Sequence, residues 1–432
     1  MSGSHGRAAA ELLKRLIACD TSNKPGRETQ AAALVADYLG AAGVDAEVVT
    51  KEGEPERGSL VARLRGGDGP TLMFLTHLDV VPADQRGWSV APFAGVERDG
   101  AIWGRGAVDM KCQVASVAVA LAELARSGRR TPGDVLLVGA ADEEVGDAEV
   151  GMPWLVEARP DLRPDFAIGE GAGERFDLPT GPTYLLDVGV KQGSKVTLRV
   201  TGRAGDASLP GLGRDALRPL VELLGRVPHF VGAPVVGPEA AAVLDAAAPG
   251  DGDLDERLRQ ARAADGYLGQ LAEALMRTTV VPVQLSADGP FNVVSDTAEA
   301  LLQCALPPET GRRELEAQLR EAIGAGDYEL EASEPLGGLR SPEASPLRDA
   351  IEAFLAEADP EARLIPTLGY GYSDCHVLRE TWGTVTYGFI PFRHAPPAQN
   401  LETKHGPDER VLIADLDFQV RCALHVATTL GA

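Results

Sequence analysis

The chain has 432 residues, 44% of them hydrophobic, more than one buried core usually holds, so two domains are expected. Asp and Glu total 64 against 41 Lys and Arg, a net charge of −23 that disfavours a nucleic-acid partner, and no apolar run approaches a membrane span. The five cysteines, Cys19, Cys112, Cys304, Cys375 and Cys422, form no CxxC pair, and the N-terminus MSGSHGRAAAELLKRL has no apolar signal core; both point to a cytoplasmic protein with reduced thiols.

In chain order, residues 7–18 have helical periodicity, with Ala10, Leu13, Leu16 and Ile17 on one face, and Thr21-Ser22-Asn23-Lys24-Pro25 lies beyond the helix. A second amphipathic helix is expected over 28–42, stopped at Gly43. Strand-like segments follow at 46–49, 60–64 and 72–75. The last of these, Leu72, Met73, Phe74 and Leu75, is apolar throughout, the pattern of a strand buried on both faces. It delivers His77 and Asp79 at its carboxyl end, where open α/β sheets bind ligands. A Trp103-Gly104-Arg105-Gly106 turn then leads to Asp109 and a helix of small residues over 113–126. An apolar strand at 135–139 precedes Glu143 and Glu144, a helix is expected near 152–158, and another short apolar segment precedes Glu170. Strands alternating with helices predict an α/β domain with a helix-covered, mostly parallel sheet.

From Lys191 the texture changes. Strands at 195–201, 280–285, 297–306 and 328–334, with helices at 215–224 and 314–323, give the β-α-β-β-α-β order of a ferredoxin-like α+β domain. After 341–342 the α/β texture returns, with a helix at 345–356, an apolar strand at 384–390 and a closing helix. The second domain, 190–335, is therefore expected to be inserted into a first domain formed by 1–189 and 336–432. Residues 228–289, long and rich in Ala, Asp and Gly, read as an insertion within the second domain.

His77 with Asp79, Asp109, Glu143-Glu144, Glu170 and His405 are candidate metal-type ligands. Singly each is an ordinary loop residue; together, at strand ends in one domain, they form an imidazole-and-carboxylate constellation that suits zinc. The segments HLDVVP, GRGAVDMK, ADEEVG, IGEG and HGPDERV, in that order and around an inserted domain, make the chain resemble the di-zinc exopeptidase and deacylase family of aminoacylase, carboxypeptidase G, acetylornithine deacetylase, succinyl-diaminopimelate desuccinylase and several dipeptidases.

The resemblance implies two zinc ions bridged by Asp109, with His77 and Glu170 completing one and Glu144 and His405 the other; cobalt or manganese would also suit carboxylate-rich sites. It makes Glu143 the general base and Asp79 the residue that orients His77, and it implies a cis Asp109-Met110 peptide. Asp142 reads as structural, and Asp374 in GYGYSDCHVLRE matches a segment near the family's substrate pocket. The expected partner is a small amide or peptide substrate, with the inserted domain as lid and homodimer surface.

Two departures bear on the substrate. Family members usually place a histidine, which polarises the scissile carbonyl, in a Gly-His-Ala-Ser segment; GRAGDASLPG places Asp206 there. The family's Asp-x-Arg, whose arginine reads a substrate carboxylate, is replaced by Gln303 and Ala305, while Asn292 remains. Exchanging cationic donors for a carboxylate suggests a substrate without the usual free carboxylate, or one presenting an amine or guanidinium to Asp206; drift of loop residues is the bland alternative. The reading is a zinc-dependent hydrolase of a small N-acyl amino acid, dipeptide or related amide. Its rivals are a noncatalytic metal-binding partner and an enzyme of biosynthetic amide formation or release.

Overall fold

A computed structural model describes residues 3–146 and 150–431. The chain forms two compact units, one made of Met1–Gly189, Arg340–Thr367 and Ser373–Ala432, the other of Val190–Leu339 and Leu368–Tyr372.

The first unit is α/β. Its sheet has a parallel centre: Leu72–His77 lies between Val135–Ala140 and Phe166–Gly169, and Val385–Gly388 extends the parallel set. Ser59–Leu64 and Asp45–Val49 add antiparallel on one flank, and Gly181–Val190 runs antiparallel on the other. The reason is connection length: the nine-residue link between Asp45–Val49 and Ser59–Leu64 can close an antiparallel pair, whereas a parallel neighbour needs a crossover of a dozen residues or more.

The apolar run predicted to be buried on both faces is so: Leu72, Met73, Phe74 and Leu75 are each at most 3% exposed. On one face, Met73 and Leu75 pack with Leu136 and Val138, under Met152, Leu155 and Val156 of the helix Met152–Ala158 and Val377 and Leu378 of Cys375–Trp382. The helices Ser4–Ala18, Lys111–Ser127 and Ile413–Thr429 pack against one another. Lys111–Ser127 is sandwiched so fully that its polar Gln113 and Ser116 are buried beside its Ala and Val residues, and small side chains are what let its neighbours approach. Burying each Val or Leu of such a core contributes about 1.5–3 kcal/mol.

The second unit is α+β. Its sheet runs Phe230–Val231, Thr278–Ala287, Thr297–Leu306, Gln192–Thr201, Glu329–Ala332, with the last four strands in the order of a ferredoxin-like β-α-β-β-α-β domain and every adjacent pair antiparallel. Alternate residues Val196, Leu198 and Val200 face Leu220 and Leu223 of Leu217–Leu224 and Leu315, Leu319 and Ile323 of Arg312–Ile323. Within 228–289, Thr278–Ala287 is an integral strand of this sheet, so the addition to the ferredoxin-like plan is the helical set Pro238–Ala247, Leu254–Ala264 and Gly266–Met276. The buried Lys191 ammonium donates to the Ala274 and Arg277 carbonyls and so caps the last of these helices. Among the described residues, no helix is long and apolar enough to cross a membrane.

Candidate active site

Three parallel strands end side by side in the first unit, and each hands off an acidic or imidazole side chain. His77 closes Leu72–His77, Glu143 and Glu144 lie in the turn after Val135–Ala140, and Glu170 directly follows Phe166–Gly169. Because the strands are parallel and adjacent, their carboxyl ends share one edge of the sheet, which is why residues far apart in sequence converge. Asp109 stands just before the helix Lys111–Ser127, across the cis Asp109-Met110 peptide, and His405 sits at φ 60° between Pro397–Thr403 and Arg410–Leu412.

The donors of His77, Asp109 and Glu144 lie within 4.8 Å of one another, as do those of His77, Glu143 and Glu170. Asp109 is central: its Oδ1 is 3.1 Å from His77 Nε2, and its Oδ2 is 3.0 Å from His405 Nε2. His405 Nε2 is also 3.2 Å from Glu144 Oε2. The sequence-predicted residues His77, Asp109, Glu143, Glu144, Glu170 and His405 are thus brought together, and Asp374 joins them: it lines the same small cavity as His77, Glu143 and Glu170. Asp206 and Asn292 belong to the second unit, where Ala207 N donates to Asn292 O and the exposed Asp206 carboxylate accepts from Ser208 N at 2.8 Å.

Asp79 is wholly buried and serves more groups than His77. The His77 Nδ1 contact at 3.1 Å is to the Asp79 carbonyl oxygen, with the carboxylate Oδ1 at 3.5 Å. The carboxylate also accepts from the Glu143 and Glu144 peptide N–H groups and from Asn23 Nδ2, so it ties the His77 strand end to the Glu143-Glu144 turn. Asn23 Nδ2 reaches on to Asp142 Oδ1 at 2.7 Å, and Arg57 bridges Asp142 to Glu28. Asp142 is therefore a structural residue of this buried chain of polar contacts.

Two residues absent from the sequence reading hold the site as well. Glu409, fully buried, accepts from Val108 N at 2.6 Å, Asp109 N at 3.0 Å, Gly106 N at 3.1 Å and the Arg105 guanidinium at 2.6 Å. Gly106 can donate there because its φ of 89° is cheap only for glycine. Lys404 Nζ lies 2.7 Å from Glu170 Oε1 and 3.2 Å from Asp109 Oδ2. Glu409 carried a signal, as the acid of HGPDERV; Lys404 carried only its place beside His405.

The electrostatics follow from burial and crowding. Burial, reinforced by the Glu170 charge, pushes the Glu143 carboxyl well above the usual range, and burial raises Glu144 too. Burial opposes charging of His77, but Asp109 and Asp79 outweigh it and hold the imidazole well above its ordinary value. Hydrogen bonds to Asp109 and Glu144 lift His405 to about 9. Burial alone would raise Asp109, yet Lys404, His405 and His77 hold it well below the carboxylate norm. This protein thus gathers mutually repelling carboxylates around two imidazoles, an arrangement in which a divalent cation would offset the carboxylate charge and take the place of the imidazole protons. The residues fit one: the donors are oxygen and imidazole nitrogen, and Glu144 Oε1 is buried with no hydrogen-bond partner among the described residues.

A strand-end cluster of candidate cation ligands with a further carboxyl beside it, on an α/β unit accompanied by a ferredoxin-like one, points to a metal-binding hydrolase. The profile of peptidase family M20/M25/M40 matches residues 73–429, and the chain belongs to that family, whose members hydrolyse amide bonds. It is 30% identical over 425 residues to a succinyl-diaminopimelate desuccinylase of Methylobacterium sp. (strain 4-46), covering 94% of this chain and 92% of that one. It is 31% identical over 427 residues to a protein of the same name from Methylorubrum extorquens (strain PA1), covering 94% of each. The fold is shared with an M20 family metallo-carboxypeptidase of Sulfolobus solfataricus (TM-score 0.74, 19% identity, 98% of both chains). It is also shared with human carnosine dipeptidase 1 (TM-score 0.71, 18% identity, 98% of this chain and 97% of that one). The protein is an amide-bond hydrolase.

Proposed function

We propose that the protein is a zinc-dependent deacylase of a small N-acyl amino acid or related dipeptide-like amide, with Glu143 as general base. The observation that carries the reading is the Glu143 carboxyl itself: 9% exposed, raised in pKa, and set beside His77 and Glu170 in the cavity that Asp374 also lines. Asp109 would be shared by two cations, His77 and Glu170 completing one set of ligands and Glu144 and His405 the other. Two cations held so would polarise the substrate carbonyl and acidify water. Glu143 takes the proton of the attacking water and delivers it to the leaving nitrogen, which departs as an amine. Asp79 keeps the His77 ring and the Glu143-Glu144 turn in register while this happens.

The desuccinylase relatives support an acyl group such as succinyl on the substrate nitrogen. The exposed Asp206 carboxylate favours an amino-acid part with a cationic amine or guanidinium. The experiment is a turnover screen of zinc-, cobalt- and manganese-loaded protein over N-succinyl and N-acetyl amino acids, dipeptides and cationic amides. Glu143→Gln should retain the cations and lose about 10²–10⁴-fold in kcat, and chelation should abolish turnover of every substrate. Cation-bound Glu143→Gln with wild-type turnover would overturn the general-base role.

A homodimer through the second unit is the proposed assembly. Val281, Val283 and Leu285, on the strand that flanks Thr297–Leu306, are 47–52% exposed, an apolar strand suited to pairing with a copy of itself. Light scattering of wild type against Val283→Lys checks it. The free cysteines support a cytoplasmic location.

A further inference from the structure

We propose that Arg57, anchored on Glu28, is a positioning residue for the general base: it acts through Asp142 and fixes the direction in which Glu143 leaves the sheet. This rests on the reading of Glu143 given above. Arg57 lies on the link between Asp45–Val49 and Ser59–Leu64, outside the cluster of candidate ligands.

Its place is built from both sides. Thr29, beside Glu28 at the start of the helix Glu28–Gly40, donates through N to Glu56 O and through Oγ1 to Pro55 O, and its Oγ1 accepts from Gly58 N at 2.9 Å. The backbone around Arg57 is thereby pinned. Its guanidinium donates to both oxygens of Glu28, at 2.8 and 3.0 Å, and its Nη2 donates also to Asp142 Oδ1 at 3.0 Å. The Glu28 and Asp142 side chains are both 0% exposed. Gly26, at φ 72°, makes room for the guanidinium, because a Cβ there would collide with Arg57 Nε.

Asp142 carries the effect to the site. It follows Val135–Ala140 and adopts φ 62°, a left-handed conformation that costs a non-glycine residue about 1–3 kcal/mol and persists only where the surroundings impose it. Its Oδ2 is buried with no hydrogen-bond partner among the described residues. A strained backbone and an unsatisfied oxygen at one residue both oppose stability, so their retention points to the geometry they set. The next two peptide N–H groups, of Glu143 and Glu144, donate to Asp79. The turn is therefore clamped twice, by Asp79 at these amides and by Asn23 and Arg57 at the Asp142 carboxylate. Arg57 is the charge-assisted tether of the second clamp. Without it Asp142 is free to relax toward negative φ, which rotates the peptide before Glu143 and carries the Glu143 carboxyl with it.

The test separates position from stability, using turnover of the zinc-loaded protein. Arg57→Met alone leaves Glu28 buried without a countercharge and should lower the Tm. Arg57→Met combined with Glu28→Gln removes that orphaned charge, so the Tm should recover while Asp142 stays untethered on this side. In the double variant kcat should fall about ten- to a hundredfold, with KM and zinc content within about threefold of wild type. Asp142→Gly, which takes the left-handed turn without strain but offers Arg57 no acceptor, should fold and show a loss of the same order. Arg57→Lys, a point donor that cannot fork onto Glu28 and reach Asp142 at once, should fall between. The deciding readout is a cycle with Glu143→Gln. Once the base is gone there is nothing left to position, so adding Arg57→Met and Glu28→Gln should lower kcat by less than about twofold more. A full further loss in the Glu143→Gln background, or wild-type kcat in both the double variant and Asp142→Gly, would overturn the role of Arg57 alone. Wild-type kcat in Glu143→Gln itself would overturn the general-base reading, and this inference with it.

Discussion

Replacing Glu409 by glutamine tests how Asp109 is held. The native carboxylate is 0% exposed and collects three peptide N–H groups, of Gly106, Val108 and Asp109, together with an Arg105 guanidinium that is itself 3% exposed. Burial pushes the Glu409 carboxyl up, and the Arg105 charge opposes this. Glutamine keeps the shape and one acceptor oxygen, so the Val108 and Asp109 bonds can survive. Its NH2 group faces donors on the other side, and the guanidinium is left buried without a negative partner. Breaking one half of a buried ion pair costs about 3–5 kcal/mol. For a cooperative unit of this size that is a fall of about 5–9 °C in Tm. Because the Asp109 backbone loosens with it, cation affinity should fall about ten- to a hundredfold. Differential scanning calorimetry and a chelator-competition titration measure the two effects. Glu409→Gln combined with Arg105→Met should recover part of the stability, since the orphaned charge is gone. A Tm loss under about 2 °C with unchanged cation affinity would refute the argument, because the electrostatic magnitude leaves no room for so small a change.

Other perturbations test neighbouring parts. Asn23→Ala removes the amide that separates the buried Asp79 and Asp142 carboxylates, and should cost about 2–3 kcal/mol in urea denaturation; a neutral result would show that Arg57 alone holds Asp142. Asp187 is buried, and burial raises its carboxyl to about 7. The native state therefore keeps this proton where the unfolded chain has lost it, so the group's contribution to stability is intact below the unfolded pKa and declines as pH rises to about 7. The full shift corresponds to about 4 kcal/mol at most. Asp187→Asn, which can still accept from Ala172 N, should match wild type near pH 4 and gain in stability toward pH 8. Parallel stability-against-pH curves for the two proteins would contradict the assignment.

Much of the site was legible because its residues sit in local contexts that announce themselves. His77 and Asp79 follow a four-residue apolar run, the pattern of an interior strand buried on both faces. Glu143, Glu144 and Glu170 follow two more. The alternating Val196, Leu198 and Val200 likewise announced a half-buried strand. What stayed hidden depends on partners distant in the chain: Glu409 meets Asp109 across 300 residues, and Lys404 meets Glu170 across 234. Nothing in the local composition around Lys404 distinguishes it from a solvated charge, and the HGPDERV segment marks Glu409 without naming its partners. The strand expected at 280–285 is present as Thr278–Ala287, although the same residues also read as part of an insertion over 228–289.

The sequence by itself determined the elements, the α/β and α+β textures and the types of chemical group available, since periodicity and side-chain chemistry are properties of short segments. Tertiary structure decided which strands are neighbours, and so that the ends after Leu72–His77, Val135–Ala140 and Phe166–Gly169 lie side by side. It also decided that antiparallel strands flank the parallel centre, that one carboxylate, Asp79, braces both the histidine and the acidic turn, and that an ammonium stands between Asp109 and Glu170. Pairing and desolvation act through space, and only folding brings those groups within a few ångströms of one another.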